Sequence, residues 1–311
     1  MLTFMALSRV GIEVNMHFSI DAVVDRLVRK GLLFDRAAIE LDKIIQGADD
    51  GEFFSLLVRA GCIPERYSHD SREEKLYAKA MDSIVAESLR RIGYQAEVSQ
   101  ERSNSADVVA EGGSPAHSLV ADAKAFRLSR TALNPKDYKI EALSKWRKGA
   151  DYAILVAPIA GYPEGQSRLY VEAGRYQVTL LSYSHLALMI ASESGPSRLE
   201  DIWMRSVEHE SVTLSAPQYW SSLDSALRQA LSWDQVNWTE ARREYFEGLL
   251  LNAEAELAYF DQVKNDVAAM DRGELVDIAV EALKIDSKMR TIRARVAKTR
   301  ALVNEMEDRE Q

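Results

Sequence analysis

The apolar positions of the first seventy residues recur at helical spacing in three short stretches. Ile20, Val23, Val24, Leu27 and Val28 make one stripe over 19–30, with Ser19 placed to cap its start and Gly31 to end it. Ala38, Ile39, Leu41, Ile44 and Ile45 make a second, which begins near Asp35 and closes at Gly47. A third helix is expected over 52–60, stopped by Gly61 and then Pro64. Next, Ser71-Arg72-Glu73-Glu74 has the spacing of a capping box, in which the serine and the glutamate each satisfy a free backbone N–H. Two interleaved apolar rows follow, Leu76, Ala80, Ile84 and Tyr77, Met81, Val85, Leu89, and they predict one long helix ending at Gly93.

The period then shortens. Tyr94–Val98, Ala106–Ala110 and Ser118–Phe126 read as strands, and Glu111-Gly112-Gly113-Ser114-Pro115 as a hairpin connection between the last two. A helix is expected over about 135–148, with Pro135 in its first turn. The continuous apolar run Tyr152–Val156 suits a central strand, Val178–Tyr183 suits a further one, and His185–Ile190 opens another helix. From Leu223 onward the pattern is helical: 239–270 has no proline and only Gly248 as an interior break, and 274–309 has neither residue. Such helices pack as a bundle or a coiled-coil arm. The order predicts an α/β protein with a mixed central sheet flanked by helices and a large helical C-terminal region. Its expected division is a helical scaffold over 1–70, an α/β core over 71–215 and a helical region over 216–311.

Composition narrows the class. The chain has 311 residues, 47% hydrophobic and 28% charged, which is the balance of a globular protein and excludes disorder as the main state. A formal net charge of -9 argues against broad attraction to polyanions, although a local basic surface remains compatible with it. One cysteine, Cys62, makes an internal disulfide or a thiolate zinc cluster inaccessible and reads as a small buried apolar residue. No apolar run reaches membrane-span length, and Arg9 and Glu13 interrupt the mildly apolar N-terminus. A soluble, cytoplasmic protein without membrane contact is the expectation.

The candidate chemistry lies in 106–130. In a strand, residues two apart share a face, so Asp122 and Lys124 would project side by side, and Asp107 would approach from the neighbouring strand. Two close carboxylates are hard oxygen ligands suited to Mg²⁺, which keeps waters and accepts phosphate oxygens. A lysine beside them could orient a water or stabilise transition-state charge. The bland alternative is a solvated strand face with an ion pair. Behind this stretch, eight basic residues stand against two acidic ones between 124 and 148, a reversal of the chain's overall sign that suits DNA phosphates. Other site types find no spacing to support them. His17, His69, His117, His185 and His209 have no metal-ligand pattern, and no nucleophile elbow or phosphate-binding glycine loop is present. His117 reads as a turn histidine, and Trp146 as a residue packed on the sheet or, alternatively, an exposed aromatic at a DNA surface.

The stretch Leu119-Val120-Ala121-Asp122-Ala123-Lys124, followed by Phe126-Arg127-Leu128-Ser129-Arg130-Thr131-Ala132, Lys136-Asp137, Lys139, Ala142-Leu143-Ser144, Trp146-Arg147 and Asp151-Tyr152-Ala153, resembles the HindIII family of type II restriction endonucleases. The likeness continues through Ala157-Pro158 and Tyr162-Pro163 and covers 60–195 clearly. It implies the PD-(D/E)XK nuclease fold, a homodimer, Mg²⁺ dependence, and cutting of both strands of DNA at a short AAGCTT-like palindrome to leave 5′-phosphates. By position it implies metal ligation by Asp107, Asp122 and the backbone carbonyl of Ala123, with Lys124 as the catalytic lysine. Ala106 replaces the proline usual before the first aspartate, and the match around Gln100-Glu101 is too loose to give Glu101 a role. Glu74 lies in a matching stretch; its capping position accounts for it, and an auxiliary metal or dimer contact is the alternative. The DNA-binding candidates are Arg127, Ser129, Arg130, Asn134, Lys136 and Lys139, because arginine pairs bidentately with guanine, asparagine with adenine and lysine with phosphate. Two other functions suit the same residues: a repair or junction-resolving nuclease of this fold, and a DNA-binding module with an inactive metal site.

Overall fold

The computed structural model describes residues 18–99, 105–130, 134–192, 195–203, 215–282, 288–290 and 292–293. Helix α1 (Ile20–Arg29) starts at Ser19, whose hydroxyl accepts from the Ala22 N–H, and its stripe Ile20, Val23, Val24 and Leu27 is buried. Helix α2 (Phe34–Gln46) and helix α3 (Asp50–Arg59) follow, α3 with a reciprocal capping box between Asp49 and Glu52. Helix α4 (Arg72–Ile92) ends at Gly93, whose φ of 107° is open to glycine without strain. Both predicted apolar rows of α4 are buried, and so are its polar residues Asp82, Ser83, Glu87 and Ser88. The long helix is therefore covered on nearly every side, as a central element must be.

Five strands form one sheet in the spatial order β1-β2-β3-β4-β5. They are β1 (Gln95–Val98), β2 (Val108–Gly112), β3 (His117–Ala123), β4 (Tyr152–Ala157) and β5 (Val178–Ser182). The first three pair antiparallel, whereas β3-β4 and β4-β5 pair parallel, so the sheet is mixed as expected. β4 lies between two strands with most of its side chains buried, the position its uninterrupted apolar run predicts. Parallel pairing needs crossovers, and two short helices provide them: α5 (Ile140–Trp146) before β4 and α6 (Arg168–Arg175) before β5. α6 has no counterpart among the expected elements. Its stripe of Leu169, Tyr170 and Ala173 is too short for its periodicity to stand out.

One expected helix is broken. In place of a continuous helix over 135–148, a 3-10 turn, Pro135–Tyr138, is joined to α5 by Lys139 at φ 50° and ψ 37°. Tyr138 and Ile140 are both buried, at 0% and 2% exposure. Residues two apart lie on nearly opposite sides of an α-helix, so the left-handed turn at Lys139 lets both side chains enter the core.

The sheet separates two apolar clusters. On one face Val108, Ala110, Leu119, Ala121, Ile154, Val156 and Leu181 pack with α1 to α4 and with α7 (Tyr183–Ala191). Helix α8 (Ala216–Ala230) and the start of α9 (Gln235–Ala269) add Leu223, Leu227, Trp238 and Tyr245 to that cluster. On the other face Val120, Ala153, Leu155, Val178 and Leu180 pack with Tyr138, Leu143, Leu169 and Tyr170. Each such aliphatic side chain contributes roughly 1.5–3 kcal/mol when fully buried. The chain divides into two compact units, residues 1–256 and 257–311. In the second unit α10 (Arg272–Ala282) buries none of its side chains. Among the described residues no helix is long and apolar enough to cross a membrane.

Candidate active site

The antiparallel register of β2 and β3 ends with Val108 opposite Ala121, and just beyond it the Asp107 side chain hydrogen-bonds to that of Asp122. The carbonyl of Asp107 accepts from the Ser99 N–H at 2.8 Å, which extends the β1-β2 ladder and holds Asp107 from its other side. Asp122 lies between β2 and β4, where it faces Leu155 in register and is 2% exposed. Two residues on, Lys124 forms an ion pair with Asp122. Its N–H donates to Val156 O at 2.8 Å, so the lysine backbone is still tied to β4 just past the end of β3. Ala123 is the last residue of β3, opposite Val156.

Burial is the largest influence on Asp122 and pushes its pKa up to about 7; Lys124 opposes the rise, and Asp107 adds to it. Asp82 on α4, a residue the periodicity does not single out, behaves the same way. Burial pushes it to about 7, with Asp107 the next cause, Lys79 opposing and Asp122 adding. The Lys79 ammonium is 3.0 Å from the Asp82 carboxylate. Three carboxylates thus interact at one end of the sheet, with Lys79 and Lys124 to balance them. In the sequence the signal for Asp82 is a carboxylate set among Ala80, Met81, Ile84 and Val85, where a solvated residue has no place.

An excess of buried carboxylate charge fits a divalent cation. Among the described residues no three His, Cys, Asp or Glu side chains form a ready protein-only metal cage. Asp107 and Asp122 are hard oxygen donors that could hold a divalent cation whose remaining positions are filled by waters and phosphate oxygens.

The DNA-binding candidates fall into two groups. Arg127 donates to Glu74 Oε1 at 2.7 Å and to the carbonyls of Pro64 and Glu65 at 3.1 and 3.3 Å. Ser129 donates to Glu65 from both its N–H and its hydroxyl at 2.8 Å. Arg130 pairs with Asp137 and covers the Phe126 ring, and Asn134 caps the 3-10 turn by accepting from the Lys136 N–H at 3.0 Å. These four all have partners inside the chain. Lys136 and Lys139 are exposed and form no ion pair among the described residues, Lys139 lying 5.9 Å from the centre of the Trp146 ring.

Two smaller expectations change. The capping box at Ser71 is half formed: its hydroxyl accepts from the Glu74 N–H at 3.1 Å, but the Glu74 carboxylate takes the Asp70 N–H and Arg127. The nearby guanidinium offers a charge-assisted bond that a neutral cap cannot match. His117 opens β3 and is not in a turn; it is buried, bonded to Tyr94 at 2.8 Å and edge-on to Tyr152. Glu101 lies outside the described residues.

The HindIII restriction endonuclease family model matches residues 19–296. The type II restriction enzyme HindIII of Haemophilus influenzae is 28% identical over 265 residues, 83% of this chain and 88% of that protein. The match takes in the helical N-terminus, the sheet with Asp107, Asp122 and Lys124, and most of the C-terminal helices. The chain belongs to the HindIII restriction endonuclease family, and is by that membership a type II site-specific deoxyribonuclease.

Proposed function

We propose that the protein makes Mg²⁺-dependent double-strand cuts at a short palindromic DNA site, AAGCTT-like, leaving 5′-phosphates, and acts in the cytoplasm as a homodimer with a PD-(D/E)XK core. The observation that carries the metal-site reading is the hydrogen bond between the Asp107 and Asp122 side chains just beyond the β2-β3 register, with Lys124 two residues further on. Asp107, Asp122 and the Ala123 carbonyl hold the metal. When bound, a divalent metal would supply Lewis acidity there, for a water and for the charge of the phosphate under attack.

The remaining work belongs to side chains of the chain. Lys124, held on Asp122 in the DNA-free protein, orients the attacking water and stabilises the charge of the pentacoordinate transition state. Asp82 and Lys79 set the local charge against which Asp122 ionises. Lys136 and Lys139 take phosphates, because a solvated lysine gives up no internal bond when it meets one. Arg127, Ser129, Arg130 and Asn134 read bases by exchanging their internal partners for base edges. A palindrome is read by a two-fold dimer, each subunit cutting one strand. Leu257, Phe260, Val276 and Ile278 support that assembly, being large apolar side chains 40–65% exposed on α9 and α10.

Incubation of the purified protein with plasmid DNA and Mg²⁺ tests the reading. Discrete fragments support it; cutting confined to branched DNA points to a repair nuclease, and binding without cutting to an inactive module. Lys124→Ala is expected to lower the cleavage rate at least a hundredfold with DNA affinity retained. Discrete cleavage that survives Lys124→Ala or Asp122→Ala would contradict the assigned site.

A further inference from the structure

We infer that Tyr183 is a positioning residue for the catalytic lysine, fixing the backbone of Lys124 from the end of a strand two places away in the sheet. Tyr183 is the first residue of α7, directly after β5, and is 0% exposed. Its hydroxyl donates to the carbonyl of Lys124 at 3.0 Å. That carbonyl lies one residue past the last β3-β4 register pair, Ala123 with Val156. With the Lys124 N–H already on Val156 O, the phenol completes the hold on both backbone polar groups of the residue.

The ring itself has little room to move. It packs against Gly61, where an added Cβ would lie 2.6 Å from Tyr183 Cε2 and 2.7 Å from Pro158 Cδ. Gly61 in turn accepts from the Phe126 N–H at 2.8 Å, so the same contact also fixes the chain just beyond Lys124. Burial and the charges of Asp82 and Asp122 hold the phenol pKa well above its ordinary value, so the hydroxyl stays a donor under assay conditions. A lysine that must place one ammonium beside a scissile phosphate depends on where its Cα sits, and small misplacements cost large factors in rate.

The inference rests on the reading of Lys124 as the catalytic lysine. Tyr183→Phe keeps the ring and removes only the hydroxyl. Tyr245→Phe is the control, since Tyr245 is also buried and donates to a carbonyl, Leu57 O at 2.8 Å, on another element. Single-turnover cleavage and half-saturation by DNA are measured for both variants and for Lys124→Ala, with folding checked by circular dichroism. Tyr183→Phe is expected to lower the cleavage rate constant roughly tenfold to a hundredfold, with half-saturation unchanged within about twofold. Tyr245→Phe is expected to stay within about twofold on both counts. If Lys124→Ala is inactive while Tyr183→Phe cuts at the wild-type rate, or slows no more than Tyr245→Phe, the positioning role is overturned. If Lys124→Ala cuts at the wild-type rate, the reading of the lysine falls, and the positioning role with it.

Discussion

At the scale of single residues, the site is governed by the difficulty of burying charge. Asp122 has its pKa pushed up to about 7 by burial, against an ordinary carboxylate value near 4. The folded protein therefore holds this proton more tightly than the unfolded chain. The resulting stability is present at low pH and is lost as pH rises from about 4 to about 7. In metal-free buffer, Asp122→Asn should raise the unfolding free energy at pH 8 by up to about 4 kcal/mol and change it little at pH 4. Thermal melts in chelator at the two pH values check this; a variant less stable than wild type at pH 8 would contradict the assigned burial cost. Asp107, Asp122 and Lys124 were legible in the sequence because strand alternation and a hairpin composition suffice to bring them together. Asp82 was not singled out, because its signal, a carboxylate among apolar neighbours on a helix, acquires a meaning for the site only when its packing is known. Arg127 shows the same limit. Its composition suggested DNA contact, yet it also ties Glu74 to the Pro64-Glu65 turn, at 19% side-chain exposure. Arg127→Ala is expected to cost about 1–3 kcal/mol in urea unfolding without DNA; an unchanged midpoint would remove the structural role.

At the scale of elements, the site depends on segments far apart in sequence meeting at the end of β3. The turn after α3 is one of them. Cys62 bridges to Phe126 in parallel fashion, and the Ile63 N–H donates to Phe126 O at 3.1 Å. Gly61 has φ +84° and faces the Tyr183 ring and Pro158 with no space for a side chain. Gly61→Ala should cost about 2–4 kcal/mol, combining a left-handed backbone with overpacking. Chemical unfolding with an unaltered midpoint would show that the contact yields. Periodicity announced the end of α3 at Gly61, but not that the glycine was needed for closeness to a tyrosine more than a hundred residues away. Periodicity likewise found α4 and β4 and failed at Lys139, where tertiary burial of Tyr138 and Ile140 overrides the local preference for a continuous helix.

At the scale of the molecule, a chain of net charge -9 carries a local excess of basic residues between 124 and 148, and the proposed function uses its exposed lysines Lys136 and Lys139 for phosphates. The mixed sheet and the helical C-terminus were both legible from pattern, because strand runs and proline-free helical stretches differ in period. The proposed homodimer came from the family resemblance and not from pattern, and which apolar side chains of α9 and α10 stay exposed is visible only once the chain has packed. Leu257→Lys combined with Val276→Glu is expected to convert the proposed dimer to monomer in sedimentation velocity and to slow double-strand cutting. A wild-type protein that sediments as a monomer at micromolar concentration would remove the dimer. The central claim is tested most directly by digesting plasmid DNA with the protein and Mg²⁺ and sequencing the fragment ends, beside Asp122→Asn. Discrete fragments sharing one short palindromic word at 5′-phosphate ends, lost in the variant, are predicted. Ends without a shared word, or the same fragments from Asp122→Asn, would contradict it.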